Sequence, residues 1–133
     1  MRILFRGKDI NTNKWCYGGY VRKVLFKNTK DEKIRHYIFD GENAGPIVMH
    51  EVDPDTVGQY TGVKDCNKNE IFNGDILQNP NDGTLGIVFW KNEEARFKVE
   101  MSRVIPEDDI VYYQVIGNIW DNKDLFKKIK DKD

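Results

Sequence analysis

The chain of 133 residues has few cysteines, few histidines, no long hydrophobic run and almost no net charge. Its two cysteines, Cys16 and Cys66, have no second thiol or histidine at metal-ligand spacing, which excludes a disulfide scaffold or zinc ribbon. Two buried or half-buried free thiols in a reducing compartment are expected. The longest apolar runs, 87–90 and 110–113, hold four residues, whereas a membrane-spanning helix needs about 20. Near the start only Ile3-Leu4-Phe5 run together, far short of a signal peptide's apolar region, so a cytoplasmic location is expected. The two histidines, His36 and His50, do not have the spacing of a metallohydrolase motif. No Ser, Cys or His stands in an elbow, triad or phosphate-cradle motif. Glu107-Asp108-Asp109 follow a proline, and three adjacent carboxylates point in different directions, which describes a solvated loop better than a paired acid and base. No catalytic residue, metal or cofactor is therefore expected, and a carboxylate-dependent hydrolase is the most distant alternative.

What is present is charge, unevenly distributed. The whole chain sums to −1. Residues 1–35 carry ten basic side chains against three acids, a balance of +7. Residues 40–82 carry nine acids and two lysines, a balance of −7. Opposite ends of this kind can pair within a monomer, pair between copies, or offer the basic part to an anion.

Hydrophobic periodicity predicts strands. Residues 96–101 alternate charged and apolar without a break, so one face is wet and the other packs on a core. Residues 85–90 precede them across the polar connection 91–94, which reads as an antiparallel hairpin. Further strands are expected at 14–21, 34–39, 46–52, 75–78 and 110–116, all rich in β-branched and aromatic residues. Turn chemistry falls between them at Asp40-Gly41, Asn43-Ala44-Gly45-Pro46, Asn73-Gly74 and Asn79-Pro80-Asn81-Asp82-Gly83. Helix signals are few. Asp121-Asn122 can cap a short terminal helix with Leu125, Phe126 and Ile129 on one stripe and lysines at the far end, and Asp53 or Asp55 can cap a single turn.

The expected fold is mainly β with minor α. An N-terminal β-rich subdomain, 1–70, precedes an SH3-like barrel and a short C-terminal helix, 71–133, as one intimate unit. Its barrel core is expected to include Ile76, Ile87, Phe89, Phe97, Val99, Val115 and Ile119.

Four blocks carry a resemblance. They are Arg6-Gly7-Lys8 with Trp15-Cys16-Tyr17-Gly18, then residues 52–65 with Val57-Gly58-Gln59-Tyr60-Thr61-Gly62 at their centre, then Glu70-Ile71-Phe72-Asn73-Gly74-Asp75-Ile76, and finally residues 115–122. In this order they resemble the YopX family of phage and prophage proteins over nearly the whole chain. The resemblance implies a bacterial, phage-derived product with a two-part β-rich fold ending in an SH3-like barrel, and a homo-oligomer. It brings no established activity. The chain departs from the family pattern at Asn73, where an acidic residue commonly stands, and at Cys66-Asn67-Lys68-Asn69, where a glycine turn is more usual. A metal role for the acidic position is not carried over. The block residues have structural explanations: Gly58, Gly62 and Gly74 for unusual backbone angles, Asp53 and Asp65 for bonding their own turns, Tyr60 for a buried ring with a polar tip.

The functional expectation is a homo-oligomeric protein-interaction module, closed head to tail into a ring, with a phage or host protein as a further partner and no membrane. Its candidate interaction or anion-binding surface is Arg6, Lys8, Lys14, Trp15, Tyr17, Tyr20, Arg22 and Lys23, where aromatics interleave with cations. The same pattern supports weak nucleic-acid binding as the alternative, with rings on bases and cations on phosphates. The net charge of −1 and a pI near 6.1 weigh against it.

Overall fold

The computed structural model describes residues 3–40, 46–91, 96–101 and 107–131, with backbone alone at 91, 96–101 and 107–109. Strand dominates. Two antiparallel sheets and one short α-helix near the C-terminal end account for most of the regular structure. The chain divides into two compact units, Met1–Gln59 and Tyr60–Asp133.

In the first unit β1 (Phe5–Lys8), β2 (Trp15–Leu25), β3 (Lys33–Asp40) and β4 (Val48–Glu51) lie in the order β4-β3-β2-β1. The strand expected at 14–21 runs on to Leu25, and the one at 46–52 shortens, leaving Val52 in an isolated bridge with Asp9. β1 was not legible as a strand, because Phe5-Arg6-Gly7-Lys8 has little β propensity and is held by its neighbours. It pairs with β2, and on its other side with Gly58 and Gln59 at the start of β5 (Gly58–Lys64). A turn joins β1 to β2 through Asp9, whose Oδ1 accepts from the N–H of Asn11 (2.7 Å) and of Thr12 (3.2 Å). The cap expected at Asp53 is present: its carboxylate accepts the Asp55 N–H over a 3-10 turn at Pro54–Thr56. Among the described residues, Leu4, Ile38 and Val52 are the buried apolar side chains of this unit.

The second unit begins with the remainder of β5, paired to β6 (Glu70–Phe72) through Tyr60↔Phe72 and Lys64↔Glu70. β7 (Asp75–Gln78), β8 (Leu85–Lys91), β9 (Arg96–Met101) and β10 (Gln114–Asn118) form a four-stranded sheet in the order β10-β7-β8-β9. Because Ile76 faces Ile87 across the β7–β8 ladder, Leu77 and Val88 point to the opposite side. β7 and β8 are therefore buried on both faces. Ile76 and Ile87 cluster with Ile129 of α1 (Lys123–Lys130), while Leu77 and Val88 cluster with Ile71 and Tyr113.

Several expectations change here. Residues 110–112 belong to a 3-10 turn, Glu107–Tyr112, and strand resumes at Gln114, because the Tyr113 N–H closes back on the Ile110 carbonyl (3.0 Å) and its ring is buried. Val115 and Ile119 only border the core, and Phe89 is half-buried. Asn122 flanks α1 but does not cap it with its side chain, whose Oδ1 instead accepts the Asn118 N–H (3.0 Å). Gly62 and Gly74 have positive φ, whereas Gly58 is ordinary strand. The expected turn at 41–45, most of the connection at 91–94, and the side chains of Phe97, Val99, Glu107, Asp108 and Asp109 lie outside the described residues.

Candidate interaction surface

Alternation along β2 and its register with the neighbouring strands sort the first unit's side chains onto two faces. Arg6 stands opposite Tyr17 and Lys8 opposite Trp15; Gly19, Phe39 and Met49 are in line, as are Val21, Tyr37 and Glu51. All of these share one face. The other carries Phe5, Cys16, Tyr20, Arg22, His36, Ile38 and His50.

The eight singled-out residues therefore divide. Trp15, Tyr17, Lys23, Arg6 and Lys8 share the first face, with the Arg6 guanidinium 4.6 Å and the Lys8 ammonium 5.5 Å from the Trp15 ring centroid. Arg6 itself is only 5% exposed, so it underpins the ring and does not meet a solvent anion. Tyr20 and Arg22 are on the opposite face. The Tyr20 ring packs against Phe5, stacks on His36 and shares a 2.5 Å hydrogen bond between its hydroxyl and His36 Nδ1. That gives both Tyr20 and His36 a structural explanation. Lys14 belongs to the β1–β2 turn, where its carbonyl accepts the Asp9 N–H.

Sequence reading missed the rest of the first face. Tyr17, Val21 and Met49 are 45%, 39% and 48% exposed, Ile47 is exposed beside them, and Tyr37 and Phe39 are half-buried between. Lys23, Arg35 and Glu51 border this apolar strip, and Arg35 holds Glu51 at 2.7 Å. An apolar, aromatic centre with a charged rim is the anatomy of a protein–protein contact. The signal available beforehand was parity: 15, 17, 21 and 23 are odd, 20 and 22 are even.

The opposite face carries a cluster that the chain's spacing concealed. Asp9, Cys16 and His50 come from the turn just after β1, the start of β2 and β4, and each can place a donor atom within 4.8 Å of the others. Asp9 Oδ2 stands 3.0 Å from His50 Nδ1. Backbone N–H donation from Asn11, the His50 contact and the Thr12 N–H together hold the Asp9 carboxyl below its ordinary pKa despite burial. Burial, with the Asp9 charge nearby, pushes the Cys16 thiol up. A thiol held protonated is a poor nucleophile, and its hydrogen bond runs to the Lys14 carbonyl (3.7 Å). Both thiols are free, but only Cys16 is half-buried as expected; Cys66, in the turn that follows Asp65, is exposed.

Two buried carboxylates of the second unit, Asp65 and Asp75, are used for structure. Burial alone would raise the pKa of Asp65. The N–H groups of Val115, Asn69 and Asn67 and the Asn69 side-chain amide outweigh it, so the net shift is downward. Asp75 accepts the Phe72 N–H (2.7 Å), and Asn73 accepts that of Trp90 (3.0 Å). Two of the nine acids in 40–82 are thereby buried, which leaves exposed carboxylates such as Asp40, Asp53, Asp55 and Asp82 to carry that segment's surface charge.

A family described as YopX protein matches residues 4–127. The crystal structure of protein EF1440 from Enterococcus faecalis is similar, with a TM-score of 0.57 and 24% identity over 94% of this chain and 98% of that one. At that identity the likeness concerns the fold alone. The search of curated proteins found no match. No helix among the described residues is long and apolar enough to cross a membrane.

Proposed function

Since the chain belongs to the YopX protein family, we propose that it acts as a homo-oligomeric, non-catalytic protein-interaction module of phage or prophage origin in the bacterial cytoplasm. One observation supports this reading: the strip of Tyr17, Val21, Tyr37, Phe39 and Met49 on the first unit's sheet is exposed or half-exposed and rimmed by Lys23, Arg35 and Glu51. Its occupant is a second copy. The +7 of residues 1–35 and the −7 of residues 40–82 make one copy's basic surface complementary to another's acidic one, and a head-to-tail contact whose rotation closes gives a ring. A phage or host protein would then dock on the assembled oligomer.

Light scattering across a salt series tests it. The expected result is a mass several times 15.6 kDa at low salt, reduced to the single chain by Val21→Asp with the far-ultraviolet spectrum unchanged. A monomer at every concentration, with salt-sensitive retention of single-stranded DNA, would promote the nucleic-acid alternative. Its carrier would be the β2–β3 hairpin, where Arg22, Lys23, Lys27, Lys30 and Lys33 outnumber Asp31 and Glu32. Metal-dependent turnover of a phosphodiester or carboxylic ester would overturn the non-catalytic part of the reading.

A further inference from the structure

We propose that Asp9, Cys16 and His50 form a binding site for one zinc-like divalent cation, with solvent completing the coordination. The inference starts from the donor set. A thiol sulfur, an imidazole nitrogen and a carboxylate oxygen together suit a borderline transition-metal ion and not magnesium or calcium, which take oxygen donors.

Geometry supports it next. The three residues come from three separate segments of one sheet, and their donor atoms lie within 4.8 Å of one another. Bond lengths of about 2.0–2.1 Å at a tetrahedral angle put two oxygen or nitrogen donors about 3.3 Å apart on zinc, and a sulfur about 3.5–3.6 Å from either. The 3.0 Å between Asp9 Oδ2 and His50 Nδ1 is already close to the first value. With no donor pair beyond 4.8 Å, the sulfur must close in by at most about 1.3 Å, which side-chain rotation can supply.

The carboxylate is also oriented. Asp9 Oδ1 is occupied by the N–H groups of Asn11 and Thr12, which leaves Oδ2 as the oxygen turned toward the histidine. Backbone donors that fix one carboxylate oxygen while the other ligates are the usual outer support of a metal ligand. Asp9 is buried, and Cys16 and His50 are half-buried, so the site is sheltered while remaining reachable from solvent. Without a cation the Cys16 sulfur makes a 3.7 Å contact to the Lys14 carbonyl, and burial together with the adjacent Asp9 charge opposes its ionisation. A bound cation reverses that: the thiol proton leaves to solvent and the thiolate becomes a ligand.

The test uses the full chain without a purification tag, stripped with a chelator and titrated with cobalt(II). One equivalent should bind and give visible ligand-field bands together with a near-ultraviolet sulfur-to-cobalt charge-transfer band, and zinc should displace it. The charge-transfer band should vanish in Cys16→Ser and persist in Cys66→Ser, and His50→Gln should weaken binding at least tenfold. Zinc should also raise the melting temperature of the wild-type chain, a readout that does not depend on how the variants fold. No charge-transfer band near equimolar cobalt, a band lost in Cys66→Ser and kept in Cys16→Ser, or a melting temperature indifferent to zinc would each overturn the site.

Discussion

Trp120 lies across the turn at Gly74 so closely that a Cβ on Gly74 would stand 2.3 Å from Trp120 Cη2. The turn is also pinned through the backbone, Gly74 N–H donating to the Val88 carbonyl (2.8 Å) and its own carbonyl accepting from Ile119 (3.0 Å). With φ at +91° and no room to move, Gly74→Ala should cost about 1–3 kcal/mol. Urea unfolding measures this. In a Trp120→Leu background the penalty should shrink, because the steric part is relieved while the backbone strain remains. An unchanged penalty would show that the ring is not the obstacle.

Asp65 ties the 65–69 loop to β10 by accepting from Asn67, Asn69 and Val115. Asp65→Asn removes acceptor capacity from a buried hub and should cost about 1–3 kcal/mol. The pH dependence has a definite sign. The folded pKa lies below the unfolded one, so the stabilisation is complete above the unfolded value of about 4 and is lost as pH falls through the folded value. Asp9, shifted the same way, adds to it. Urea midpoints should fall with acidification below about pH 5, and Asp65→Asn should flatten that slope.

Tyr20 and Val21 are sequence neighbours on opposite faces, and that separates two kinds of effect. Tyr20→Phe removes the hydrogen bond to His36 and should cost about 0.5–1.5 kcal/mol of stability without changing the mass of the proposed oligomer. Val21→Asp should do the reverse, reducing mass with little loss of stability. Were Tyr20→Phe to dissociate the oligomer, the face assignment of the contact would be wrong.

The architecture was most legible where one rule governed. β7 and β9 have the bounds that composition and alternation predicted, and the Asp53 cap follows from its side-chain chemistry. Alternation failed in the core of the second unit for a physical reason. Ile76-Leu77 and Ile87-Val88 are consecutive because β7 and β8 are covered on both sides, so a search for one apolar face finds Ile76 and Ile87 and passes over Leu77 and Val88. β5 and β6 were not among the expected strands, because Gly58 and Gly62 weaken the β signal of one and the other is only three residues long; their pairing holds them. The surface was half legible: Trp15 and Tyr17 were identified, but Met49, Tyr37 and Phe39 join them only through strand register. The cluster of Asp9, Cys16 and His50 was not legible at all, since its spacing is set by the sheet and not by the chain.

The proposed contact has a centre and a rim, and the two should respond differently to salt. Lys23 is exposed at the border of the strip, where its charge is screened over roughly 8–10 Å at ordinary ionic strength. Lys23→Glu should therefore slow association and weaken the oligomer most at low salt, with the difference from wild type closing as salt rises. Val21→Asp places an unpaired charge where apolar groups must be desolvated, and raising salt should not repair it. Concentration-dependent light scattering at two salt levels distinguishes them. Equal loss from Lys23→Glu at both levels would mean that the lysine is part of the buried centre and that the strip extends past Arg35.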